Sequence, residues 1–566
     1  MFCKPNKENT KLLFFDKDGT ELGYCPFVAV EDYVFTIPED TQKDIVKLII
    51  RNGKRNRTIN LKPGDISDLK TLMSALAGSM CCVAPEFQYE VQKRLLFQIN
   101  SKIENDLIVY QHKNLGYYEF NGQPLFFSDR TEIAPNIYSD CTRENVGSFR
   151  DGSEDVYHEM LETYVYPSTE LSLAFLIGLS AITSGMLFEK TSIGCPIYVF
   201  SGKSSSGKTL AASLAISAFM SCNPTSSVLM TKLNSTRLGL TAQLQNIASL
   251  PVCFDDAKNN FHGDIAEEVY SLASGTPRAT SNVNNEAVVR AGWRCSIIMT
   301  TETSILDDVD RRAGMLVRLI DLNAIQWTKS AEECDSIYEI ITNNYGWIGF
   351  KLGEFISKKG IDKVYADYKK CKDYIQNLMK THDALSIRVS SKYASICLTG
   401  VYYNKLFGKK FDLTKILKLL LQNESKLVRK RDTALDCYHC AYDFYKKHIR
   451  QFKGNHTENY SGVFYGEVKS IRGTEIVSIS FTELDNIMIK AKFPQYRNYF
   501  DEWEKKGLAK IIKTNSAKLG RHVDFYFHFL EEEEMDDSSD DNLEKSQDKF
   551  QEILDNDMGL NLSNEE

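Results

Sequence analysis

The sequence predicts an α/β fold, and two observations carry that expectation. Between residues 156 and 325, apolar runs at Pro196–Ser201, Pro251–Asp255, Arg294–Thr300 and Leu316–Asp321 alternate with helical segments. Continuous apolar runs of this kind are buried on both faces, as in a parallel sheet covered by helices. The first run also leads into a glycine-rich loop that opens a helix. That arrangement defines a P-loop core.

The flanking regions follow different patterns. Residues 1–155 alternate short apolar runs (LLFF, YVFTI, IVKLII, LIVYQ, YYEF, PLFF) with turn signals, and Ser67–Gly78 and Glu86–Ile103 have helical spacing. This predicts a mixed α/β N-terminal domain, set off by the polar stretch Thr142–Glu154. Residues 326–455 are mostly helical in period. Within 456–530, helices are expected at Phe481–Ala491 and Gln495–Lys506. Strands follow Gly507 at Leu508–Thr514 and His522–Phe529. Helix, helix and basic hairpin is the order of a winged helix. Residues 531–566 read as an acidic disordered tail.

A chain of 566 residues is too long for one ordinary core, and 43% hydrophobic with 25% charged residues suits a globular protein. The net charge of -8 hides an asymmetry. From Glu531 to Glu566 there are 15 acidic and 2 basic residues, which leaves 66 basic and 61 acidic residues in the body. A mildly basic body agrees with a nucleic-acid partner, while the tail's plainer role is to solubilise. The 14 cysteines are irregularly spaced, and Met1–Thr10 has no apolar leader run. Free or buried thiols in a reducing, cytoplasmic setting are expected. Cys437-Tyr-His439-Cys440 lacks a second ligand pair at metal-site spacing and reads as a helical segment. Leu171–Phe188 is apolar enough to raise a membrane span, at about the minimum spanning length. Its three serines, threonine and two glycines, without Lys/Arg flanks, point instead to a buried helix. No membrane association is expected.

The chemistry is concentrated in Gly202-Lys203-Ser204-Ser205-Ser206-Gly207-Lys208-Thr209. This fits G-x-x-x-x-G-K-[ST], which arises by chance only ~0.02 times in a chain this long at average composition. The preceding strand and following helix lower that chance further. Glycines let backbone N–H groups turn inward around phosphates, and the helix N-terminus favours their charge. Lys208 serves the β- and γ-phosphates of ATP, and Thr209 is a ligand for Mg2+. A neighbouring strand must supply a carboxylate, and Pro251-Val-Cys-Phe254-Asp255-Asp256 does so. Asp255 is expected to hold the metal through water, and Asp256 to orient the attacking water. Asp256 stands where many such ATPases have Glu, and its shorter reach suggests slow turnover or a base elsewhere. A third strand, expected between these two, ends in Thr300-Thr301-Glu302. Either Thr300 or Thr301 suits a γ-phosphate contact; a helix N-cap is the plainer alternative.

Taken together, these segments resemble a helicase family of phages, plasmids and cassette-chromosome elements, long catalogued as a domain of unknown function. Its core is similar to that of MCM-type AAA+ helicases. The resemblance covers about residues 60–410. It rests on GKSSSGKT (Gly202–Thr209), LPVCFDDA (Leu250–Ala257), LASGTPRA (Leu272–Ala279), WRCSIIMTTET (Trp293–Thr303), AGMLVRLIDL (Ala313–Leu322) and IRVSSKYASICLTG (Ile387–Gly400). Upstream, Gly116–Phe120 to Phe127 looks like the family's aromatic strand pair. The resemblance implies a DNA helicase or translocase serving replication of a mobile element. It implies a ring, a homo-oligomer and in particular a hexamer, with ATP between subunits and a helical lid over the site. It makes Arg318 the arginine finger, with Arg311 and Arg312 as alternatives, and Arg388 the lid's sensor. A hairpin at the Asn-Asn pair between Arg278 and Trp293 would place Arg278, Arg290 and Arg294 near DNA phosphates. The family commonly has Gly where Glu302 is preceded by Thr301.

Overall fold

The computed structural model describes residues 1–527, except 38–43, 144–146, 226, 233–236, 258–264, 278–279, 282–286, 289–291, 306–317, 380–383, 432, 455–463, 472–473, 492, 494 and 517–519. The tail expected at 531–566 lies outside the described residues. The chain divides into two compact units, Met1–Val146 and Gly147–Glu566.

The first unit is built on strands β1 (Phe2–Pro5), β2 (Lys11–Phe15), β3 (Glu21–Ile37), β4 (Ile45–Asn52), β5 (Arg55–Leu61), β6 (Ile108–His112), β7 (Leu115–Phe120), β8 (Gln123–Phe127), β9 (Arg130–Ala134) and β10 (Ile137–Cys141). The sheet runs β1-β2-β3-β6-β10-β9, with β4 beside β3 and β5 beside β4. β3 is long enough, at 17 residues, to pair with β2 through its first half and with β4 and β6 through its second. The helix Gln88–Glu104 carries Val91, Leu95 and Ile99 at four-residue spacing, one face of a helix, into a core with Leu12, Phe14, Val46, Leu48 and Ile50. β7 and β8 form the expected aromatic pair. Their turn is Asn121-Gly122, with φ of 50° and 75°. Two successive left-handed residues match the right-handed twist of the flanking strands.

The second unit contains β11 (Ile197–Ser201), β12 (Met230–Lys232), β13 (Ile247–Asp255), β14 (Thr280–Ser281), β15 (Ala287–Val288), β16 (Arg294–Thr301) and β17 (Leu319–Asn323). The strands β17-β11-β16-β13-β12 lie side by side, all parallel. Every residue of β11 is buried, as its uninterrupted apolar sequence requires. The stretch Thr169–Met186 is 89% buried within the protein. It forms two helices, Thr169–Leu179 and Ala181–Met186, as expected of a core segment. Gly178 lets the first of these pack closely on the helix Lys208–Ser217: a Cβ there would lie 2.6 Å from the carbonyl oxygen of Ala215. β14 and β15 pair antiparallel as the expected hairpin, whose tip at 282–286 lies outside the described residues.

Helices Ala331–Asn343, Gly349–Ser357, Ile361–Leu378, Ala384–Phe407, Leu413–Arg431 and Thr433–Lys447 follow. Beyond them lie β18 (Phe452–Lys453), β19 (Gly466–Ile471), β20 (Thr474–Ser480), the helices Phe481–Lys490 and Phe500–Lys505, β21 (Ala509–Ser516) and β22 (Gly520–Phe525). These strands order as β18-β19-β20-β22-β21. The helix expected over Gln495–Lys506 is a 3-10 turn at Tyr496–Tyr499 followed by an α-helix from Phe500. Its Trp503 is fully buried and donates its indole N–H to the Ala434 carbonyl at 2.7 Å. Cys437 sits in a helix with its Sγ 3.3 Å from Met488 Sδ, and no metal-holding group of three exists among the described residues.

Candidate functional site

The site lies where the parallel strands end. β11 gives way to a loop that must turn sharply before the helix Lys208–Ser217. Gly202 (φ 145°), Ser205 (φ 66°) and Gly207 (φ 82°) supply the positive dihedrals. Gly207 is required twice over, because a Cβ there would also lie 2.8 Å from Thr328 Oγ1. The segment after β17 supports the loop from below. Trp327 donates its backbone N–H to the Ser206 carbonyl at 2.9 Å, and its ring packs 4.4 Å from that of Phe200. Ser206 Oγ is buried and unbonded among the described residues. Lys208 bends back over the loop and donates to the carbonyls of Gly202 (2.9 Å) and Lys203 (2.8 Å). Burial lowers its pKa, against the pull of Glu302 and Asp255 in the other direction.

The acidic side comes from β13 and β16. Asp255 Oδ1 accepts from Thr209 Oγ1 at 3.1 Å and from Thr300 Oγ1 at 2.6 Å. The Thr300 hydroxyl in turn accepts the backbone N–H of Asp256 at 2.9 Å. This holds Asp256 in a left-handed conformation, φ 52°, that non-glycine residues seldom adopt. Of the two threonines, Thr300 is therefore bonded to Asp255, while Thr301 donates to the Thr303 carbonyl at 2.8 Å. β16 lies between β11 and β13, so both threonines fall between the loop and Asp255.

Together these groups line a cleft of about 320 Å³, walled by Ser204, Ser205, Gly207, Lys208, Thr209, Leu210, Asp255, Asp256, Thr300, Thr301, Glu302 and Cys334. The hydroxyl and carboxylate of Thr209 and Asp255 are hard oxygen donors of the kind Mg2+ prefers. The turned loop, the helix start and Lys208 present donors suited to phosphate oxygens. Glu302 and Cys334 were not singled out from the sequence. Glu302 had a readable signal, since it is the first carboxylate after β16. Cys334 reaches the cleft from the helix Ala331–Asn343, which tertiary packing alone brings close.

The described arginines lie elsewhere. Arg318 directly precedes β17, and its carbonyl accepts the N–H of Ile197, the first residue of β11. β11 and β17 are parallel, so Arg318 is at the end of the sheet away from the cleft. Its guanidinium lies over the Tyr270 ring at 4.5 Å. Arg388 is exposed on the helix Ala384–Phe407 and does not line the cleft. Arg294, first in β16, pairs with Glu189 at 2.9 Å. Arg278, Arg290, Arg311 and Arg312 lie outside the described residues.

A family described as "Domain of unknown function (DUF927)" matches residues 91–292. A solved structure described as "SCCmec type IV Cch - active helicase" matches with a TM-score of 0.71 at 19% identity, over 94% of this chain and 98% of that one. At that identity the likeness is one of fold. No curated protein matches.

Proposed function

We propose that this chain is an Mg2+-dependent P-loop ATPase of the AAA+ type that acts as an ATP-driven DNA helicase or translocase. In this reading it acts as a homo-oligomeric ring, a hexamer, in replication of a mobile genetic element. One observation carries the ATPase half. Asp255 accepts from both Thr209 and Thr300 beside Lys208, which brings three adjacent parallel strands to one cleft. Lys208 and the loop would hold the triphosphate, and Thr209 and Asp255 would hold the metal. A bound Mg2+ would neutralise phosphate charge. Asp256 and Glu302 both line the cleft as carboxylates able to orient water. The strand order, with β16 between β11 and β13, agrees with the AAA+ reading.

The helicase half rests on fold likeness to a protein described as an active helicase. Under it, the helices Ala331–Lys447 serve as the lid carrying Arg388, and the C-terminal sheet and helices as a winged helix with the β21–β22 hairpin as wing. Arg278, Arg290 and Arg294 face DNA, and Arg318 serves a neighbour's site. A second reading, a regulatory ATPase switch, is favoured by Asp256, whose short side chain stands in a pinned left-handed turn. ATPase activity of the full chain, with and without single-stranded DNA, separates the two. Stimulation by DNA together with unwinding of a forked duplex, both lost in Lys208→Ala, is expected. Intact ATPase without unwinding or translocation at any salt concentration would favour the switch.

A further inference from the structure

Hydrolysis needs a carboxylate that can take a hydrogen bond from the attacking water, and the cleft offers two beyond Asp255. They are held very differently. Asp256 follows directly on β13, in a left-handed turn, with its backbone N–H given to Thr300 Oγ1. That hydroxyl is already committed as donor to Asp255. A hydroxyl has one proton, so its direction is fixed: it gives to Asp255 and receives from Asp256. The turn at Asp256 is therefore set by the same bond that orients Asp255. Shifting Asp256 toward a substrate would disturb both. Its carboxylate is also one methylene shorter than a glutamate's.

Glu302 stands at the end of β16, the strand between the phosphate loop and Asp255. It is exposed at the cleft, and no hydrogen bond or ion pair among the described residues ties it down. Its charge acts on Lys208 more strongly than that of Asp255 does. A free, longer carboxylate close to the phosphate-binding lysine is placed for a water lying beyond the terminal phosphate.

We infer that Glu302, rather than Asp256, is the catalytic residue that orients and deprotonates the attacking water. The inference rests on the ATPase reading above. In the step, water oxygen bonds to the γ-phosphorus as the bond to the β,γ-bridging oxygen breaks. The water proton passes to the Glu302 carboxylate, and ADP leaves with the electron pair. Thr300 then acts as a positioning residue for the two aspartates.

The test compares Glu302→Gln and Asp256→Asn in the full chain. Steady-state ATPase is measured beside the binding of a fluorescent ATP analogue. Both substitutions are isosteric, and Glu302 is exposed, so folding is not at stake. Glu302→Gln is expected to lower kcat by about 10²–10⁴-fold, the range for a general base, with analogue affinity within about threefold of wild type. Glu302→Asp should recover part of that loss, and Asp256→Asn should lose less than Glu302→Gln. Equal losses in the two amide variants, a larger one in Asp256→Asn, or wild-type turnover in Glu302→Gln would overturn the assignment. A wild-type chain that neither binds the analogue nor hydrolyses ATP would instead overturn the ATPase reading.

Discussion

Thr300→Val is the most direct probe of the cleft's acidic side. Valine keeps the shape of threonine and removes only the hydroxyl. That hydroxyl is 2.6 Å from Asp255 Oδ1 and 2.9 Å from the Asp256 amide, in a residue 3% exposed. A hydrogen bond to an ionised carboxylate contributes about 1.5–3 kcal/mol, and a buried N–H left without an acceptor costs about 1–3 kcal/mol. Some relaxation toward water at the cleft reduces the total, so about 3 kcal/mol is the expected disruption. If all of it falls on the arrangement of Asp255 and Asp256, it corresponds to about 10²-fold in turnover. Thr301→Val serves as the matched control, because among the described residues its hydroxyl reaches only the Thr303 carbonyl. Its loss should stay near one neutral hydrogen bond, about 1 kcal/mol. The assay is steady-state ATPase across a magnesium titration, with circular dichroism to establish folding. Thr300→Val should turn over about 10²-fold more slowly and need more magnesium. Wild-type turnover in Thr300→Val, or a larger loss in Thr301→Val, would refute the account of Thr300 as the brace of the acidic pair.

Two further outcomes are expected. Burial lowers the Lys208 pKa, whereas a bound triphosphate favours the ammonium and raises it. Nucleotide affinity should thus be fully present below the lowered pKa of the free protein. Above it, affinity should fall by up to about tenfold per pH unit, at lower pH than an ordinary lysine would give. Isothermal titration between neutral and alkaline pH measures this, with Lys208→Arg expected to remove the dependence. Arg318→Ala should lower ATPase by about 10³-fold or more if it is a finger, and mixing with Lys208→Ala protein should restore part of the activity. Failure of two folded variants to complement in a mixed oligomer would remove Arg318 from that role.

Much of the cleft was legible because its chemistry is contiguous or sits at strand ends. Gly202–Thr209 is a single run, and Asp255 closes a wholly apolar one. The parallel strands were visible because burial on both faces leaves no polar alternation. Strand limits were less so: β13 begins at Ile247, ahead of the expected Pro251, because Ser249 interrupts the apolar pattern while being buried. The β19–β20 hairpin was missed altogether. Glu467, Lys469 and Ser470 alternate with sparse apolar residues there, and partners such as Tyr445, which donates to Glu475, are remote in sequence. Residue spacing also could not separate Thr300 from Thr301. Adjacent residues of a strand face opposite ways, and only the placement of β13 beside β16 decides which one meets Asp255.

The cleft's charge supports a site completed from outside. Among its described lining residues, Lys208 is the sole cation, against the carboxylates of Asp255, Asp256 and Glu302. A triphosphate would add several negative charges to walls already negative on balance. Mg2+ at Thr209 and Asp255 would offset part of that, but the terminal phosphate would lie toward Glu302, the carboxylate proposed to orient water. Under the ATPase reading, charge developing there in the transition state would call for a cation beyond the described lining residues. Arg318 cannot serve its own cleft, since the length of β17 separates them: five residues at about 3.3 Å each. A neighbouring copy that brings this opposite end of its sheet against the cleft would supply the missing charge only when both copies are in register. Turnover would then depend on assembly while nucleotide binding would not. That dependence would make the cleft a coupling element of a ring rather than a self-sufficient hydrolase.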